Sequence, residues 1–577
     1  MHILQTKEGL VSFSTFVDSS LLRFDLVLAS LLQKPGLPFA DALPEEDIQA
    51  AFEEEGALFG QEDDAVYTPP LTLWAFLSQV FFKGEQRSCA AAVARIIVLL
   101  VSLGRKPCCD NTGTYCRARA KVPERVLRRL VYHVADGCEQ ALPEEWRWKG
   151  KFVGLVDGFT VSMPDTPENQ AAYPQSSSQE EGLGFPQVRG VVLLSFVTAL
   201  AVGLAVGPCL GKETGETALL RALFDRFHPG DVMLADRYFC SYFMICLLLE
   251  RGVDLVSRLH QKRTADFRRG TRLGPGDHLV EWPRPPRPEW MDEATYARMP
   301  ASITIREVEV AVPQPGFRVE SFVVVTTLLD ADEYTRGDLS ALYRGRWLVE
   351  LDIRAIKCGL DMDVLRCKTP EMVRKEIWAC LLGYNLVRQT ILQAAYESGC
   401  SPRCLEAEPS DDAEVCEDRS RAGCAAACVD GEPAIVIDAC VGAEEPKHAR
   451  RCVPEELRLA GKDCPEAGTS KARPRSVGQE PRPVEAVPTA EAECLPRELS
   501  FTAAMQKLAA GWVLAPSLTE VSTDALRRAN HKHLLKHRVG HRPNRVEPRA
   551  IKRRPKPHKL LNKPRAEARV ELLAGKT

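Results

Sequence analysis

Between residues 152 and 259, short β-branched runs alternate with helical spacing in an order that only a mixed sheet can absorb. The runs at 152–161 and 188–206 supply three successive strands, and the spacing predicts a helix over 216–227, a strand at 232–235, a helix over 240–251 and a strand at 254–259. Successive strands joined by short turns pair antiparallel, whereas strand–helix–strand units place their strands in parallel. The expected core is therefore an α/β domain with a mixed sheet. One uncharged stretch, 191–211, has the length of a bilayer span, but Gly203, Gly207, Pro208 and its β-branched content fit two buried strands and a turn. No membrane segment is expected.

The flanks read differently. Residues 71–135 place Leu73, Phe76, Leu77 and Val80, then the run 91–103, at helical spacing around a polar turn at 106–115, as in a helical bundle. From 263 to 329 Pro, Gly, Trp and alternating residues such as Ile303, Ile305, Val308 and Val310 predict a strand-rich insertion. A long helical pattern follows from 339 to 393, broken near Gly359. Residues 403–496 contain no Phe, Tyr or Trp and read as a low-complexity, disordered insertion. Within it Cys404, Cys416, Cys428, Cys440, Cys452 and Cys464 recur every twelve residues, a decayed repeat without the close-set pairs of a metal motif. The 20 cysteines are otherwise scattered and no apolar leader follows Met1, so reduced thiols in a cytoplasmic protein are expected.

A net charge of −3, from 75 Lys+Arg against 78 Asp+Glu, hides a segregation. Residues 46–64 are acidic, while 527–569 are dense in Arg and Lys and hold only Glu547 and Glu567 as acids. Such a tail is an electrostatic footprint for polyanions. His531, His533, His537 and His541 lie within it, but Gly540 interrupts their pattern and no Cys or acid joins them, so phosphate contact or solvent exposure is expected in place of zinc.

Two acids appear abruptly at the expected polar ends of apolar strands: Asp157 after Val153-Gly-Leu-Val, and Asp236 after Val232-Met-Leu-Ala. Either alone could be a turn former or a helix cap. A third element, Tyr343-x2-Arg346-x3-Glu350-x6-Lys357, would fall within roughly a 60° arc of one regular helix. Trp347, Ile353 and Ile356 can dock that helix, so the polar stripe would border a site. Three separated carboxylates offer hard oxygens for two Mg²⁺ or Mn²⁺ ions, and Arg346 and Lys357 offer charge for phosphates. A phosphate loop is excluded, because the segment from Gly207 to Lys212 has the wrong glycine spacing.

These residues resemble the DDE transposases of bacterial insertion sequences, specifically the IS-four family. The Tyr-Arg-Glu-Lys signature matches in full, and similarity extends to Asp157-Gly with the downstream run from Asp165 to Tyr173, to Asp236-Arg237, to the segment from Thr68 to Leu77, and to Glu376-Ile-Trp through Arg388. It spans about 65–400 and resumes from 496, leaving 403–495 as an insertion. The resemblance implies an RNase H-like catalytic domain at 149–400, with a β-rich insertion at about 263–332. It also implies a preceding helical DNA-binding domain at 66–148, an acidic segment at 1–65, and a C-terminal helix and basic tail at 497–577.

It further implies that Asp157, Asp236 and Glu350 form the catalytic, metal-binding triad and that Tyr343, Arg346 and Lys357 grip terminal phosphates. Arg237 and Arg258 would be secondary DNA contacts, and Phe322 stands nearest the place where relatives stack a flipped base on tryptophan. Asp165, after Pro164, is a rival ligand better suited to a turn. The implied reaction is metal-dependent hydrolysis at transposon ends, then attack of the freed 3′-OH on target DNA, by a nucleoid-associated homodimer. The alternatives are a catalytically inactive, domesticated DNA-binding protein and an RNase H-like nuclease without strand transfer.

Overall fold

The computed structural model describes residues 43–62, 65–102, 105–177, 182–311, 321–397, 496–506 and 520–536, with single positions between 563 and 574. The chain divides into residues 1–435 with 493–577, and 436–492; every described residue belongs to the first unit. The twelve-residue cysteine ladder and His537 and His541 lie outside the described residues.

The first helices are α1 (Glu45–Glu54), α2 (Pro69–Phe81), α3 (Cys89–Ser102), α4 (Thr112–Lys121) and α5 (Glu124–Gln140). Thr68 caps α2 by accepting from Leu71 N, and Pro69 and Pro70 fill a first turn whose N–H groups need no partner. Every residue of α2 is buried. In α5, Val126, Leu127, Leu130, Val131 and Val134 face the core, while Arg125, Arg128 and Arg129 are exposed. The turn expected over 106–115 is shorter than its polarity suggests, because Asn111 accepts from Gly113 N and starts α4. The acidic segment contributes α1, which buries Ile48, Ala51 and Phe52 and leaves Glu46, Glu53 and Glu54 exposed.

Next come β1 (Val153–Ser162), α6 (Pro167–Ala172), β2 (Gln187–Ser195), β3 (Ala201–Pro208), α7 (Glu216–Arg221), β4 (Val232–Ala235), α8 (Tyr242–Leu249) and β5 (Asp254–Arg258). Then follow β6 (Thr271–Gly274), β7 (Asp277–Pro283), α9 (Glu293–Arg298), β8 (Ser302–Ala311) and β9 (Ser321–Thr326). The strands form one mixed nine-stranded sheet in the order β3-β2-β1-β4-β5-β9-β8-β7-β6. β1 runs antiparallel to β2 and parallel to β4, and β4 is parallel to β5. The insertion strands thus continue the main sheet, because β9 pairs antiparallel with β5.

Central strands are apolar on both faces because both are covered. Leu155, Val192 and Leu194 join one buried cluster, while their neighbours Val156, Val191 and Leu193 join the other. The uncharged stretch becomes β2, a turn and β3; no described helix is long and apolar enough to cross a membrane. The helix expected over 216–227 is shorter, with α7 giving way to a 3-10 turn at Phe224–Arg226.

The long helical pattern resolves into α10 (Arg336–Gly345), α11 (Leu348–Arg354), a π-turn (Ala355–Gly359) and α12 (Pro370–Glu397). A 3-10 turn at Pro496–Glu498 and α13 (Glu520–Lys536) then return to pack on α12.

Candidate active site

Asp157 lies inside β1, not at its end. The parallel ladder with β4 stops at Val156↔Ala235, while the pairing with β2 continues through Ser162. Asp157 and Asp236 are therefore each the first residue beyond the β1–β4 ladder, abreast on neighbouring chains. Asp236 also caps the next turn, accepting from Tyr238 N at 2.6 Å, and its carbonyl accepts from Ser257 Oγ at 2.8 Å. Asp157 Oδ1 accepts from Gly158 N at 2.7 Å. Burial pushes the Asp157 carboxyl up to about 6 and the Asp236 charge adds to this, against the Gly158 N–H and Arg346.

A fourth carboxylate was not singled out by sequence. Glu216, at the start of α7, fills the space that a Cβ on Gly158 would need. Burial raises its proton affinity, and the charges of Asp157 and Asp236 raise it further while Arg189 opposes them. The available signal was Gly158 itself, a glycine inside a strand, which marks close approach by another group.

The helical segment carrying the other candidates is irregular. Thr335 and Asp338 form a capping box at its start, but Val349 N donates to Arg346 O and Glu350 N to Trp347 O, both at 3.1 Å, a three-residue spacing. Lys357 lies in the π-turn beyond. Equal 100° steps therefore do not describe Tyr343, Arg346, Glu350 and Lys357, and the single regular face expected from their spacing is corrected.

Arg346 links the parts. Its Nη2 donates to Glu350 Oε1 at 3.2 Å, and its Nη1 is 4.0 Å from Asp157 Oδ2. Tyr343 is buried, its hydroxyl pushed up to about 12 mainly by that burial. Its ring centroid lies 5.3 Å from that of Phe322, and the Arg258 guanidinium lies 5.4 Å from the Phe322 centroid. The half-buried Phe322 is thus engaged by two of the other candidates. Arg237 and Lys357 are half-buried. Asp165 accepts from Gln170 Nε2 at 2.7 Å in the loop around α6. His531 is buried with Nδ1 2.7 Å from Glu397 Oε2.

Among the described residues no three His, Cys, Asp or Glu side chains stand close enough together to hold a metal ion. The donor chemistry of the site is nonetheless all carboxylate oxygen, which suits Mg²⁺ or Mn²⁺ over softer metals.

Residues 148–386 match the family described as Transposase DDE domain. The chain is similar to the transposase InsG for insertion sequence element IS4 of Escherichia coli (strain K12), 28% identical over 296 residues. That match covers 50% of this chain, and the chain spans 63% of the length of that relative. The transposase for insertion sequence element IS421 of Escherichia coli is 38% identical over 69 residues, 12% of this chain and 19% of that protein. Among solved structures, a piggyBac transposase synaptic complex with hairpin DNA aligns at a TM-score of 0.36 and 11% identity, covering 63% of this chain and 75% of the other. Residues 148–386 thus match a transposase DDE domain, and the chain is similar to the transposase of the insertion sequence IS4.

Proposed function

We propose that the chain cuts DNA at transposon ends in a metal-dependent reaction and joins the freed 3′-OH to target DNA, working as a homodimer. The observation that carries this reading is the placement of Asp157 and Asp236 abreast beyond the β1–β4 ladder, with Arg346 linking Asp157 to Glu350. An RNase H-like core is supported by the strand order β3-β2-β1-β4-β5, antiparallel up to β1 and parallel from β1 to β5. The exposed arginines of α5 support a DNA-facing role for the helices before the sheet.

Asp157, Asp236 and Glu350 are the residues that would hold two Mg²⁺ or Mn²⁺ ions. When bound, such ions supply a deprotonated nucleophile and stabilise both oxygens of an in-line displacement. Arg346 presents a planar fork suited to a phosphate and, in trading its bond to Glu350 for one, couples arrival of DNA to release of that carboxylate. Lys357 adds a point charge, and Arg237 and Arg258 line the approach. Phe322 is the wall that supports Tyr343 and Arg258, with base stacking left to whatever face that packing leaves open.

The test is incubation of the full chain with DNA bearing the ends of its own element, with Mg²⁺ and with EDTA, resolved on a denaturing gel. Metal-dependent cuts at both ends followed by joined products are expected, and Glu350→Gln should lose the cuts while still binding. Cuts without joining would indicate a nuclease, and binding without cuts a DNA-binding protein.

A further inference from the structure

Asp352 stands two residues beyond Glu350 in α11, so it leaves that short helix about 200° round from the carboxylate. It is buried, and it accepts from two arginines. Arg388 of α12 donates Nη2 to Asp352 Oδ1 at 2.8 Å, and Arg497 donates to Oδ2. Arg497 also donates to the carbonyls of Phe196 and, at 3.4 Å, Ser195, where β2 turns toward β3. Its guanidinium lies 5.6 Å from the Phe196 ring centroid. That ring in turn occupies the space a side chain on Gly345 would need, directly before Arg346. Arg497, from beyond the 403–496 segment, therefore binds Asp352 just after Glu350 and also binds Phe196, whose ring packs against Gly345 just before Arg346.

Stability alone does not account for this arrangement. Two buried guanidinium groups share one carboxylate, a net positive charge in the interior, and a buried ion pair of this kind is weak as a source of stability because desolvation offsets its attraction. What the arrangement does supply is a fixed rotation for α11. Glu350 sits in a seven-residue α-helix that is entered through three-residue bonds and left through a π-turn, so the regular ladder that sets its direction is short. An anchor on the opposite side of the helix removes that freedom.

We propose that Arg497 is a positioning residue for Glu350, acting through Asp352, and that the segment around 496–506 is a working part of the active site although the family match ends at residue 386. The proposal rests on the reading of Glu350 as an active-site carboxylate. Full-length Arg497→Met and Arg497→Lys are compared with the unaltered chain and with Glu350→Gln. The measurements are end binding, single-turnover cleavage, the Mn²⁺ concentration for half-maximal cleavage, and amide hydrogen exchange.

In Arg497→Met, end binding should stay within about threefold. Cleavage should fall about 10- to 100-fold, the order expected when a reacting group shifts by about an ångström, and the Mn²⁺ requirement should rise. Exchange should quicken about tenfold or more over 348–354 while β1 and β4 stay protected. Arg497→Lys should recover part of each loss. Unchanged cleavage and exchange in Arg497→Met would overturn the proposal, and so would exchange quickening equally across the sheet. If the Met variant does not fold, Arg497→Lys decides by the same readings. Absence of cleavage by the unaltered chain would count against the transposase reading alone, since exchange over 348–354 still decides the role of Arg497.

Discussion

The Arg346 guanidinium donates to the Glu350 carboxylate at 3.2 Å, four residues along one helical segment. With Asp157 4.0 Å from its other nitrogen, the arginine offsets carboxylate charge that would otherwise be mutually repulsive.

Arg346→Lys keeps the charge and loses the fork. Single-turnover end cleavage should therefore fall at least about tenfold in Arg346→Lys, and about a hundredfold or more in Arg346→Gln. Equal rates for Arg346 and Lys at this position would show that only the charge matters.

Asp157 yields a prediction in pH. Its carboxyl is raised from the ordinary 3.8 to about 6 by burial, with Asp236 adding like charge and the Gly158 N–H and Arg346 opposing. A carboxylate raised on folding weakens the metal-free fold progressively as pH climbs from about 4 to about 6, and fully above that. With the side chain one-quarter exposed, solvent screening reduces the penalty to about 1–2 kcal/mol. Asp157→Asn should thus stabilise the metal-free protein by that amount at pH 7 and by nothing measurable at pH 4, in denaturant unfolding. Binding of Mg²⁺ or Mn²⁺ by the unaltered chain should weaken as pH drops through about 6, because protons compete for the Asp157 carboxylate.

Gly345→Ala tests the fit under Arg346. A Cβ there would come 2.5 Å from a Phe196 ring atom, and a ring cannot fold out of the way as a flexible chain can. Alanine gains helix propensity of up to about 1 kcal/mol, yet overpacking costs about 1–3 kcal/mol. Net destabilisation with reduced cleavage is expected, and adding Phe196→Leu should restore part of both.

For the basic tail, the structure fixes where to cut. α13 packs on α12 with Leu534 buried and with Arg527 and His531 both bound to Glu397. Truncation after Lys536 should leave the melting temperature nearly unchanged while weakening end binding and flattening its salt dependence. Truncation before Glu520 should in addition destabilise the fold, because it uncovers the α12 surface.

The central strands were legible because burial on both faces leaves near-continuous apolar runs, as in Val232–Ala235. The break near Gly359 was legible too. The position of Asp157 inside β1 was not, since nothing local tells where the β4 ladder ends and the β2 ladder continues. Glu216 and Arg497 act across the sheet or across the long 403–496 segment, and no periodicity links them to Gly158 or Asp352. The insertion gave itself away as strands, while its union with β5 depends on long-range pairing that composition does not encode.

That union has a mechanical consequence. β9 bonds to β8 on one side and to β5 on the other, and β5 bonds to β4, after which Asp236 follows. The insertion is therefore a cantilever built into the same beam as the two aspartates. Load placed on β8 reaches Asp236 as shear through three ladders, β8–β9, β9–β5 and β5–β4.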